Sequence, residues 1–126
     1  MDKKTISKKF IDLLEIVEKL RGPDGCPWDQ EQTHETLLPY LLEEVYEVME
    51  SIDGRDWDTL EEELGDILLH VVMQAQISKE NRRFNIYDSL NNVNKKLIRR
   101  HPHVFGDKNA EASFHAKQNW ETAKYE

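Results

Sequence analysis

At 126 residues, 38% of them apolar and 33% charged, the chain has room for one domain with a modest core and leaves apolar surface for an oligomer to cover. A net charge of −8 argues against a general nucleic-acid or membrane-surface binder. The single cysteine, Cys26, excludes an intrachain disulfide, has no electropositive setting between Asp24 and Asp29, and fits a reducing cytoplasm.

The N-terminal stretch MDKKTISKKF has lysines but no apolar h-region of a secretory signal, and no apolar run approaches the ~20 residues of a membrane span. Residues 1–20 predict an N-terminal helix, with Ile6, Phe10, Leu13, Leu14, Val17 and Leu20 on one face, ending at Gly22-Pro23. Residues 21–32, RGPDGCPWDQEQ, predict a loop in which Trp28 plugs a core edge, its functional alternative being a lid or base-contacting wall. Core helices then fill residues 33–126. The second helix starts at Thr33 or Thr36, with Pro39 favouring the later cap, and buries Leu38, Leu41, Leu42, Val45, Met49 and Ile52. Gly54 suits a C′ position and Asp56 an N-cap, so the third helix, from about Trp57 to about Lys79, folds back antiparallel. Leu60, Leu64, Ile67, Leu68, Val71, Val72 and Ala75 make that helix apolar over more than half its circumference, which places it at the centre of the bundle. A fourth helix runs from Asn85 to His101-Pro102 with Leu90, Val93 and Leu97 facing inward, and a last one, from about Ala110 to Lys124, carries Phe114 and Trp120. No strand-like alternation interrupts the series. The expected fold is all-α, a helical bundle with a four-helix core, as a single domain over residues 1–126.

Chemistry concentrates between Glu43 and Asp66, where eleven acids stand against one base, Arg55. They are interleaved with apolar residues at helical spacing, so this is no disordered acidic tail. Glu44 and Glu47 are neighbours on one helix, Glu63 and Asp66 on the next, and all four border the apolar stripes. Crowding like charges at a core edge costs desolvation and repulsion, which a divalent cation reverses. Hard oxygen ligands suit Mg2+, with Mn2+ as the alternative. Glu50, Asp53, Asp58, Glu61 and Glu62 read as a solvated face. His70, one turn beyond Asp66, reads as a hydrogen-bonded core residue before it reads as a ligand. Between Lys79 and Lys108 eight bases outnumber three acids, which suggests an anion site beside the metal site. Lys96 and Arg100 share a helix face there, and His101 and His103 flank Pro102 in a position to order the turn. GxGxxG, GKS, nucleophile-elbow, CxxC and HExxH motifs are absent.

The segments EEVYE (43–47) and ELGD (63–66) resemble the EExxE…ExxD signature of the MazG family of all-α nucleoside triphosphate pyrophosphohydrolases. GCPWDQEQTHETLLPYLLEE before it, KLIRRHPHVFGD after it and NWETAKYE at the end extend the likeness over almost the whole chain from Arg21 onward. The resemblance implies magnesium-dependent cleavage between the α and β phosphates, giving a nucleoside monophosphate and pyrophosphate. It implies Glu44, Glu47, Glu63 and Asp66 as metal ligands, Glu43 as an acid supporting them or orienting water, Lys96 and Arg100 as phosphate-holding residues, and Trp120 as a residue approaching the nucleotide. Many relatives carry two such domains in tandem; this chain holds one and resembles the N-terminal copy. The other functional expectation is a nucleotide- or partner-binding helical module without efficient turnover. In either case the expected partners are a nucleoside triphosphate and further copies of the chain, as a dimer or a dimer of dimers, with no nucleic acid and no membrane. The expected location is cytoplasmic.

Overall fold

The computed structural model describes residues 1–106 and contains only helices: α1 (Lys3–Arg21), α2 (Pro27–Glu31), α3 (Leu38–Asp53), α4 (Trp57–Glu80), α5 (Ile86–Arg100) and α6 (Pro102–Phe105). The all-α expectation holds. The helix expected from Ala110 to Lys124, with Phe114 and Trp120, lies outside the described residues. No helix among them is long and apolar enough to cross a membrane.

Met1 to Asn85 form one compact unit. α3 and α4 pack along each other as an antiparallel hairpin, and α4 also meets α1. Val17 of α1, Val72, Met73 and Ile77 of α4, and Leu37 just before α3 make the core, with Phe10, Leu13, Leu14 and Leu69 against it. α4 is therefore the central helix of this unit, as its broad apolar surface predicts.

Both ends of the α3–α4 turn are fixed by local hydrogen bonds. The Asp56 carboxylate accepts from the Thr59 amide at 3.2 Å and from the Thr59 hydroxyl at 2.6 Å, the N-cap the sequence suggests. At the end of α3 the Arg55 amide donates to Ile52 and the Asp56 amide to Ser51, a Schellman closure. Here the expectation is corrected. The left-handed C′ residue is Arg55 (φ 53°), while Gly54 keeps a right-handed helical conformation. The start of α3 also differs from both expected caps. Thr33 and Thr36 instead bond each other, amide to hydroxyl in both directions, in a turn that precedes the helix, and α3 begins at Leu38 with Pro39 in its first turn.

The expected loop 21–32 contains a further correction, the short helix α2, begun by Pro27 in its first position. The segment before it folds back over the last turn of α1, where the Cys26 amide donates to the Leu20 carbonyl at 2.8 Å. A Cβ on Gly25 would sit 2.1 Å from that carbonyl oxygen, so only glycine fits. Arg21 then ties the region together. Its guanidinium forks onto Glu80 at the end of α4 (2.9 and 3.0 Å) while Nη1 donates to the carbonyls of Asp29 and Gln32. A second tie crosses from His34 to α4. His34 Nδ1 bonds Gln74 Oε1, Gln74 Nε2 donates to the His34 carbonyl at 3.2 Å, and the buried Ser78 hydroxyl meets His34 Nε2 at 3.4 Å. Because the Gln74 oxygen can only accept, the ring proton belongs on Nδ1 and Nε2 accepts from Ser78.

The expected burial of α3 is corrected too. Leu38, Leu42, Val45, Met49 and Ile52 are exposed, as are Leu64, Leu68 and Val71 on α4. The hairpin's apolar stripe is wider than its contact with the rest of this unit.

A second unit begins at Ile86. In it α5 and α6 pack together, and the His101 ring bonds the Leu97 carbonyl at 2.7 Å and lies tilted against the ring of His103. His101 ties the turn at Pro102 to the end of α5, as its position suggests, whereas His103 contributes its ring contact alone, its Nδ1 having no hydrogen-bond partner among the described residues.

Candidate active site

The α3–α4 hairpin brings carboxylates from two helices to one seam. Glu44 on α3 and Glu63 and Asp66 on α4 each place a carboxylate oxygen so that all three lie within 4.8 Å of one another. Glu44 and Glu63 are half-buried and Asp66 is exposed. The arrangement follows from sequence spacing. Glu63 and Asp66 are neighbours on α4, and the short turn at Gly54 to Asp56 puts that pair opposite the acidic face of α3.

The electrostatics are those of negative charge without an answer. The ion pairs Lys8–Asp12, Arg21–Glu80 and Lys79–Glu18 all lie away from the seam. Glu44 Oε2 and Glu63 Oε2 are buried with no hydrogen-bond partner when the carboxyls are ionised. Two carboxyls can hydrogen-bond only when one holds a proton, and crowding of this kind favours the protonated form. Glu63 has its pKa raised, first by its bond with Glu44, then by partial burial and the charges of Glu44 and Asp66. Glu47 is raised as well, first through its bond with Glu63, with burial and the charges of Glu63 and Glu43 adding to it. For Glu44 the bond with Glu63 is the largest influence and favours ionisation; desolvation and the repulsion of Asp66 and Glu47 together outweigh it, and its pKa also rises. Buried orphan oxygens, like charges and raised pKa values fit a hard divalent cation.

Of the residues singled out in the sequence, Glu44, Glu63 and Asp66 form the close group, and Glu47 is coupled to it through Glu63 and Glu44. Glu43 is exposed on α3 and adds its charge to Glu47. Lys96 and Arg100 are on α5, in the second unit, with Lys96 exposed and Arg100 buried. Trp120 lies outside the described residues. His70 is 9% exposed with Nδ1 unpartnered among the described residues, so the expected hydrogen-bonded core histidine is buried but not bonded at that atom. Desolvation lowers its pKa against the opposing charge of Asp66.

Reading the sequence missed Arg21, Tyr40 and Gln74. Arg21 and Gln74 hold partners 59 and 40 residues away, and no local pattern signals such pairs. Tyr40 does carry a local signal, since it stands at i, i+4 and i+7 to Glu44 and Glu47.

The family model described as the MazG nucleotide pyrophosphohydrolase domain matches residues 32–105, which include every carboxylate of the seam. The chain belongs to the MazG family. It is 52% identical over 115 residues to the nucleoside triphosphate pyrophosphohydrolase/pyrophosphatase MazG of Thermotoga maritima, covering 91% of this chain and 44% of that protein. It is 50% identical over 115 residues to the nucleoside triphosphate pyrophosphohydrolase of Escherichia coli, covering 90% and 44%. The chain thus spans less than half the length of these MazG relatives. The crystal structure of a mazG-related protein from Thermotoga maritima superposes with a TM-score of 0.74 at 31% identity, over 91% of this chain and 98% of that one.

Proposed function

We propose that the chain hydrolyses nucleoside triphosphates to nucleoside monophosphate and pyrophosphate with a divalent cation, Mg2+ or in its place Mn2+. The observation that carries this reading is the convergence of Glu44, Glu63 and Asp66 across the hairpin, two of them with buried, unpartnered oxygens. Similarity to proteins named nucleoside triphosphate pyrophosphohydrolases supplies the substrate class. Glu44, Glu47, Glu63 and Asp66 would hold the cation. Once bound, it supplies charge neutralisation for phosphate oxygens and a more acidic water.

The chain's own groups take the remaining roles. Glu43 and Glu47 orient the attacking water and accept its proton. Lys96 and Arg100 offset charge on the departing pyrophosphate, and Trp120 approaches the nucleotide. The exposed apolar residues of α3 and α4 support a homodimer, or a dimer of dimers, that covers them. A nucleotide-pool enzyme of this kind would work in the cytoplasm as one domain.

Incubating the full chain with Mg2+ and a panel of triphosphates, then resolving products by ion-exchange chromatography, tests the proposal. Equal amounts of monophosphate and pyrophosphate are expected. Diphosphate with orthophosphate, or tight binding without product, would contradict it; the second result selects the non-catalytic binding module.

A further inference from the structure

No role described above uses His70. It is 9% exposed, and its Nδ1 is buried without a hydrogen-bond partner among the described residues. A histidine kept only for packing would gain from replacement by leucine, which fills a similar volume with no polar atom to desolvate. Gln74, the next polar side chain along this face of α4, is committed to His34 through both its amide oxygen and its amide nitrogen.

In the other direction along that face stands Asp66. Asp66 and His70 are i and i+4 on α4, and helical side chains lean toward the N-terminus of their helix, over the residue four before them. His70 therefore leans over Asp66, whose charge reaches the ring. Asp66 is also the exposed member of the three converging carboxylates, so it has the most rotamer freedom to lose on taking a ligand. Burial pushes the imidazole below its ordinary pKa, which leaves a neutral ring with a single N–H.

We propose that His70 is the positioning residue of the seam: from its buried site it donates Nδ1–H to the Asp66 carboxylate and holds that carboxylate turned toward Glu44 and Glu63 for a divalent cation. The inference rests on the cation reading of the seam. His70 is not itself a ligand, since the close group consists of carboxylates alone. A donor of this kind fixes the orientation of one ligand and favours its charged form, and so raises metal affinity from outside the coordination sphere.

Mn2+ binding to the full chain, followed by electron paramagnetic resonance of the free ion, tests this together with the melting temperature of the metal-free protein. His70→Leu is expected to weaken Mn2+ binding by roughly tenfold to a hundredfold, while the metal-free variant melts no lower than the wild type. His70→Asn, whose amide nitrogen takes the place of Nδ1, should recover most of the affinity. In nitrogen NMR spectra of the histidine-labelled wild type with Mg2+, the signal that His70→Asn removes should report a proton on Nδ1.

Equal Mn2+ affinity in His70→Leu and the wild type would overturn the assignment, as would a His70→Asn protein that binds no better than His70→Leu. A His70→Leu protein that melts well below the wild type before metal is added would overturn it too, by making the ring a support of the fold. A proton on Nε2 with Mg2+ bound would do the same, whether or not the leucine variant folds. Each of these leaves the cation reading of the seam standing. A wild type that takes up no Mn2+ overturns that reading, and the role of His70 with it.

Discussion

The two ends of α4 carry carboxylates in opposite circumstances. At the C-terminal end Glu80 receives the forked guanidinium of Arg21, whose side chain is 7% exposed, and that bond, the largest influence on it, holds the Glu80 pKa below its usual value. Toward the N-terminal end Glu63 faces Glu44 and Glu47 with no base among the described residues to pair with, and all three pKa values move up. One end is complete as a piece of protein. The other gathers charge that a bound cation would neutralise. A carboxylate given its own arginine is building the fold; a group of carboxylates left to repel one another is a place that could hold a cation.

The largest expected effect of breaking this contrast falls on activity. Glu63→Gln or Asp66→Asn removes a seam charge, and pyrophosphate release with Mg2+ is expected to fall about a hundredfold or more in steady-state assays. The same substitutions should raise the melting temperature of the metal-free protein, because they relieve repulsion. At the other end Arg21→Met is expected to lower stability by about 2 kcal/mol in urea unfolding, since it strips the Asp29 and Gln32 carbonyls and Glu80 of one donor group together.

A pH series should separate the two ends by sign. Groups with raised folded pKa values bind protons more tightly in the folded state. The seam therefore destabilises the metal-free protein at neutral pH, and stability recovers as pH falls through the raised values toward the ordinary 4.5. Saturating Mg2+ should flatten that dependence. Glu80 behaves oppositely, since its depressed folded pKa contributes stability that is full above 4.5 and lost as pH falls through the folded value. Denaturant midpoints with and without Mg2+ would resolve both slopes, and the Arg21→Met protein should lose the Glu80 component alone. The smallest effect belongs to the cap that sets the hairpin angle: Asp56→Ala is expected to cost about 1 kcal/mol, read as a shift in denaturant midpoint with an unchanged slope.

Local signals made much of this readable. The apolar spacing of α1 and α4, the Asp56 cap and the short turn at Gly54 sufficed to predict a hairpin with acids across its seam. Features settled by distant contacts were not readable. Arg21 looks like the end of a helix until Glu80 arrives from 59 residues away, and Trp28 looks like a plug until its exposure is seen. The start of α3 was misplaced because Thr33 and Thr36, both good caps, satisfy each other instead. Arg55 could take the left-handed position beside a willing glycine because the Ser51 and Ile52 carbonyls fix the register of the turn. The apolar face of α3 was assigned to the interior because periodicity shows that a stripe will be covered without showing by which surface.

Titrating Mn2+ into the metal-free full chain, followed by electron paramagnetic resonance of the free ion and by melting temperature, addresses the seam most directly. The account predicts that the wild type takes up Mn2+ and melts higher as it does, whereas Glu63→Gln melts higher without metal and takes up little. Equal uptake by both proteins, or a wild type whose melting temperature ignores the ion, would contradict it.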